Sequence, residues 1–440
     1  MKTASLLLLP LLALGAPLHA QEPAAAPAPL TLGQAIAAVL ARYPSLTAAQ
    51  AAIDAAHARV TQSEADRRPQ VSANAAYSYL SLRPYVEFSL PSGSSSFYET
   101  IQNSYNATIN VGQLLTDFGR TDALVALARA GEISAQDALE QTRSQLGYET
   151  IQAFYGVLLL RASVGVADEE IRALDEALRI ADRKFAGGTA TKFDVLTTKV
   201  RRATAQNNRT DTIAQLQKQE ALLRQLLGAG PDSPLPLAGD FPAASAGPDL
   251  SATIAAGLQE RPEIKLARDD AATAERRLDA ADRANRPVLS ARATGGEQDG
   301  DLPAMYANKG YVAAGLSVSI PIFTGERITG QRLEARADLR AAQAKITELD
   351  RMIATDVADA FADLQAAAAR LQNADLLVDQ AQEALALAQS RYANGVITNF
   401  ELLDAQSAAR SAEQSRLQAR YDWTLARQAV ARAAGAPPQP

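Results

Sequence analysis

The sequence predicts a mainly α-helical chain with a smaller β component, laid out as one unit of helix, helix, strand, strand, long helix and return helix that is written twice. Three observations predict it. Residues recur in the same order at two fixed offsets. Proline is missing between Pro91 and Pro231 and between Pro321 and Pro437, which leaves room for very long helices. Between the short and the long helices of each half, the apolar period changes from 3.6 to 2.

Composition bounds the function. The 440 residues include 43 Lys+Arg, 49 Asp+Glu, 2 His and no Cys. Without a thiol, and with so few imidazoles, the chain cannot build a zinc-thiolate centre, a disulfide framework or a His-based triad. No cofactor, metal or catalytic residue is expected. The net charge of −6 argues against a nucleic-acid partner. Hydrophobic residues make up 47% but aromatic ones only 5%, so much of the apolar content is alanine, which favours closely packed helices.

Residues 1–20 read as a secretory signal peptide: Lys2 supplies the positive charge, Leu6 to Leu14 the apolar run, and Ala20 the small residue at cleavage. No later segment is expected to act as a transmembrane helix. Residues 21–29 and 437–440 are Pro/Ala tails, and the Pro-rich stretch 231–248 links a first repeat (30–230) to a second (249–436).

The duplication rests on paired residues. An offset of 218 carries Ile36 to Ile254, Pro44 to Pro262 and Arg68-Pro69 to Arg286-Pro287. An offset of 207 carries Phe185 to Tyr392, Gly188 to Gly395, Thr191 to Thr398, Asp194 to Glu401 and Gly228 to Gly435. The difference places an insertion in the first half. Each half begins with a short helix (31–42 and 250–260) that stops near Pro44 or Pro262. A second helix runs to Arg67 or Asn285, where the following proline ends it.

Strands are expected next, at 71–79, 105–111, 289–295 and 312–320. In the second of these, Tyr105, Ala107, Ile109 and Val111 alternate with Asn106, Thr108 and Asn110. Such alternation fits a transmembrane β-barrel and equally a soluble amphipathic sheet. Segments 81–96 and 296–310 read as Gly/Ser/Pro-rich loops. Four strands cannot close a barrel, and open edges are not tolerated in lipid, so a membrane reading requires several chains.

The long helices follow. In the second half, Val357, Leu364, Leu371, Val378, Leu385 and Tyr392 recur every seven residues, with Ala360, Ala367, Ala374, Ala381 and Ala388 three positions later. This is a coiled-coil seam. The rods end at Phe185-Ala186-Gly187-Gly188 and Tyr392-Ala393-Asn394-Gly395, where Gly and Asn suit a left-handed turn.

The stretch Arg391-Tyr392-Ala393-Asn394-Gly395-Val396-Ile397-Thr398-Asn399-Phe400-Glu401-Leu402-Leu403-Asp404-Ala405-Gln406, taken with the duplication and the element order, resembles the TolC-like outer-membrane efflux proteins. Ile320-Pro321-Ile322-Phe323-Thr324-Gly325 and Leu115-Thr116-Asp117-Phe118-Gly119 resemble that family's strand-to-helix junction. The resemblance covers about 30–436. It implies a fold that is mainly α with transmembrane β: a homotrimer whose 12-stranded barrel lies in outer-membrane lipid and continues as a helical tunnel through the periplasm of a Gram-negative bacterium.

It also implies a passive exit duct for a tripartite efflux or type I secretion system, docked to a periplasmic adaptor and, through it, to an inner-membrane pump. The docking tips would be Gly187, Gly188, Thr189, Gly395, Val396 and Ile397. Glu401, Asp404 and Asp194 match the family's acidic constriction, and Tyr392 the tyrosine of the network that holds the tip closed. Rings of carboxylates attract cations. Some members carry an Arg where this chain has Ile397; the first repeat has Ala190 there, with Lys192 nearby as a substitute. The competing readings are a periplasmic coiled-coil adaptor, which has one hairpin rather than two, and a secreted carboxylate hydrolase.

Overall fold

The computed structural model describes residues 29–82, 85–98, 103–244, 247–300 and 310–438. The expected leader 1–20 lies outside the described residues.

The first half runs α1 (Leu32–Arg42), α2 (Pro44–Ala65), β1 (Gln70–Tyr79), β2 (Tyr85–Leu90), β3 (Gly93–Tyr98), β4 (Asn103–Thr116), α3 (Arg120–Ala186) and α4 (Lys192–Leu227). The second runs α5 (Leu250–Glu260), α6 (Pro262–Asp282), β5 (Val288–Gly300), β6 (Tyr311–Ser319), α7 (Arg327–Ala393) and α8 (Asn399–Ala433). Local chemistry sets the boundaries. Pro44 and Pro262 each occupy the first helical turn, where a missing N–H costs nothing. Thr31 and Gln34 form a reciprocal cap at the start of α1.

Both long helices span 67 residues, or roughly 100 Å at 1.5 Å per residue. The seven-residue series of α7 turns inward as the sequence predicts: Val357, Leu364, Leu371, Val378 and Tyr392 are buried, as are Ala367 and Ala374 of the alanine series. Val357, Leu364, Ala367, Leu371 and Ala374 pack with Ile264 of α6 and with Trp423 and Val430 of α8. In the first half, Ile151, Phe154 and Val157 of α3 meet Ile36 and Val39 of α1 and Leu223 of α4. One stretch of α3 is long and apolar enough to cross a membrane, contrary to expectation. Half of it is buried, and much of it belongs to this core, so its apolarity serves packing.

The linker is tied to the same core. Arg161 donates to the Leu235 carbonyl at 2.8 Å, and Phe241 stacks on Tyr155 with ring centroids 5.8 Å apart.

The strands β1, β4, β5 and β6 form one antiparallel sheet in that order, so the two halves join at β4–β5. The register puts Val71 opposite Val111, Val111 opposite Ala293 and Ala293 opposite Ala314. Because directly paired residues share a face, Val71, Ala73, Ile109, Val111, Ala291, Ala293, Leu316 and Val318 lie on one side. Ser72, Asn74, Thr108, Asn110, Ser290, Arg292, Ser317 and Ser319 lie on the other. The apolar side is uncovered: Val312 is 85%, Leu316 72% and Val71 67% exposed.

Part of 81–96, expected as loop, is a second hairpin. β2 pairs antiparallel with β3 from Tyr85↔Tyr98 to Leu90↔Gly93. This hairpin occupies the connection between β1 and β4, where the first half is longer, and so accounts for the change of offset. Ser and Gly weaken the strand signal but do not prevent ladder pairing. In the second half, β5 extends beyond the expected 289–295, again into residues read as loop.

Candidate channel gate and docking tips

The two rod ends are built alike. Gly188 N donates to the Phe185 carbonyl at 3.0 Å and Thr189 N to the Lys184 carbonyl at 2.8 Å. At the other end Gly395 N donates to the Tyr392 carbonyl at 3.1 Å and Val396 N to the Arg391 carbonyl at 2.9 Å. Both are Schellman turns. They need a left-handed residue, and Gly188 and Gly395 supply it at φ 73° and 72°. Gly187, Gly188, Thr189, Gly395 and Val396 are exposed and Ile397 half-buried, so all six expected docking residues sit at one end of the shaft.

The return helices start with matching caps. Thr191 Oγ1 accepts from Asp194 N at 3.2 Å, while Asp194 Oδ2 accepts from Thr191 N at 2.9 Å. Thr398 and Glu401 repeat this, with Glu401 Oε2 accepting from Thr398 N at 2.7 Å and from its hydroxyl at 2.8 Å. Two of the three expected gate acids are therefore also capping-box carboxylates. The backbone N–H of Thr398, and then its hydroxyl, hold the exposed Glu401 carboxyl below the usual carboxylate range. Asp404 lies one turn further along α8, exposed on the same side as Glu401. Threonine three residues before an acid was the sequence signal for these caps.

Tyr392 is 6% exposed. Burial, and then the charge of Asp194, push its hydroxyl above the usual tyrosine range. Three side chains that the sequence reading did not single out for the gate join the first hairpin (α3–α4) to the second (α7–α8). Lys184 Nζ donates to the Tyr392 carbonyl at 3.1 Å. Asn399 Nδ2 donates to Thr198 Oγ1 at 3.1 Å. Arg201 donates to the Leu403 carbonyl at 3.2 Å. Lys192, offered by the sequence as a substitute cation, is exposed and makes no ion pair among the described residues. These contacts join residues about two hundred positions apart, so no local pattern marks them. Just above them, a cavity of about 300 Å³ lies between the four helices, lined in part by Leu174, Arg201, Leu385, Leu403 and Gln406.

The chain thus joins a sheet with one uncovered apolar side to a shaft of two helical hairpins whose tip carries Asp194, Glu401 and Asp404. A family model described as outer membrane efflux protein matches residues 35–229 and 254–436, and the chain belongs to that family. It is similar to the outer membrane efflux protein BepC of Brucella suis, 24% identical over 345 residues covering 77% of this chain and 74% of the relative. It is also similar to the alkaline protease secretion protein AprF of Pseudomonas aeruginosa, 26% identical over 391 residues covering 84% of this chain and 79% of the relative. Its fold matches that of the outer membrane protein VceC of Vibrio cholerae with a TM-score of 0.75 and 22% identity, over 93% of this chain and 97% of the other.

Membership makes the chain an outer-membrane exit duct whose helical part lies in the periplasm, not an enzyme and not an adaptor. Family members work with adaptor proteins in tripartite efflux and type I secretion systems.

Proposed function

We propose that three copies of this chain pool their sheets in outer-membrane lipid and that the pooled shafts form a duct closed at the tip. The uncovered apolar face carries this reading. Contiguous exposed apolar surface marks a membrane or an interface, and here it lies on strands of 9–14 residues, long enough to span when tilted. β1 and β6 each leave one edge unpaired within the sheet, and lipid tolerates no open edge. Four strands from each of three chains give a closed barrel of twelve.

At the other end, threefold symmetry brings three Glu401 and three Asp404 towards one axis, with Asp194 near them. Such rings favour cations. The exposed turns at 187–189 and 395–397 dock an adaptor, which links the duct to an inner-membrane pump. AprF, by its name, serves protease secretion and BepC serves efflux, and this chain takes its cargo from whichever pump its adaptor recruits. The test is membrane fractionation followed by chemical cross-linking. A trimer in the outer-membrane fraction is expected; monomeric protein in the soluble periplasm overturns the proposal.

A further inference from the structure

Lys184 reaches from the last turn of α3 in the first hairpin to the last turn of α7 in the second. Its ammonium lies 3.6 Å from the centroid of the Tyr392 ring and donates to the carbonyl of the same residue at 3.1 Å. Both contacts suit a cation. The ring face carries the negative side of the aromatic quadrupole. The Tyr392 carbonyl belongs to the C-terminal turn of α7; it accepts from Gly395 N within the turn, has a second lone pair for the ammonium, and lies at the negative end of the helix dipole.

The lysine is well aimed for this. Its own carbonyl accepts from Thr189 N at 2.8 Å and Ala190 N at 3.2 Å, which fixes its backbone in the turn. It is half-buried and makes no ion pair among the described residues. Its counterpart in the second half, Arg391, is exposed, so only one of the two duplicated cations is used in this way.

We propose that Lys184 is a positioning residue of the tip: by capping α7 from α3 through the Tyr392 ring and carbonyl, it latches the two hairpins of a protomer together in the closed state. The inference rests on the gate reading above. Asn399 on Thr198 and Arg201 on the Leu403 carbonyl join the same two hairpins from α8 and α4. None of the three contacts is an ion pair with a carboxylate. The latch therefore holds without the arginine that Ile397 replaces, and it makes no use of the Tyr392 hydroxyl.

The test is single-channel recording on purified full-length protein. Lys184→Met is expected to raise the ratio of open to closed time by about tenfold, the size of one part-desolvated cation–π contact. Lys184→Arg, which keeps the cation, is expected to retain closure. Tyr392→Leu is expected to open the channel like Lys184→Met, and the two together to add little. Lys184→Gln gives a milder version of the same loss should the methionine variant not reach the membrane. Unchanged closure in Lys184→Met or Lys184→Gln overturns the latch, as does full additivity with Tyr392→Leu.

Failure of the gate reading shows separately. If Glu401→Gln/Asp404→Asn alters ion selectivity while the lysine variants close normally, the latch is wrong and the gate stands. If selectivity ignores the acids, the gate reading fails.

Discussion

In the shaft, Ile353 and Val357 are fully buried and Trp423 is 2% exposed, whereas in the sheet Val312, Leu316 and Val318 are 85%, 72% and 62% exposed. The same residue types face opposite ways because the two regions meet different surroundings. Helices can bury an apolar stripe against one another within one chain. Among the described residues, no helix packs on the four-stranded layer to cover it. The shaft is thus specified by the protomer, and the sheet by what lies outside it.

Four variants break or sharpen that difference. Trp423→Ala empties the shaft core and is expected to cost about 3–5 kcal/mol, read as a lower midpoint in denaturant unfolding of the isolated chain. Leu316→Arg is expected to leave the shaft folded, by helical circular dichroism, yet to cost about 2–4 kcal/mol at a strand position proposed to face lipid, read as loss of protein from the outer-membrane fraction. Equal damage to the shaft would remove the contrast.

Thr398→Ala removes one capping box and is expected to cost about 1 kcal/mol, confined to the first turn of α8 in amide exchange. A smaller effect is pH-dependent. Because the folded Glu401 pKa is lowered, its contribution is full above the ordinary value near ~4.3 and fades as pH falls through the lower folded value. Faster exchange at the start of α8 is expected only in acid, and Glu401→Gln is expected to abolish that acid dependence.

The two tip turns make a second, finer comparison. Duplication preserved their backbone almost unchanged: the same Schellman turn, the same left-handed glycine, the same threonine cap. It did not preserve their side chains' surroundings. Phe185 is 47% exposed and its counterpart Tyr392 only 6%. The backbone was legible in the sequence because turns and caps are local chemistry: Gly188 and Gly395, and Thr191 and Thr398 each three residues before an acid. Helix starts at Pro44 and Pro262, and the alternation of Tyr105, Ala107, Ile109 and Val111, were legible for the same reason. The β2–β3 hairpin was not, because its pairing of Leu90 with Gly93 rests on backbone bonds that Ser and Gly permit without announcing. Lys184 on Tyr392 was not, because its partner lies 208 positions away and is met only after both hairpins have packed.

The most direct measurement is the reversal potential of the purified channel in a planar bilayer under a salt gradient, for the wild type and for Glu401→Gln/Asp404→Asn. The account predicts a cation-selective conductance whose selectivity falls in the double variant. A protein that forms no channel, or one whose selectivity is identical with and without the two carboxylates, would contradict it.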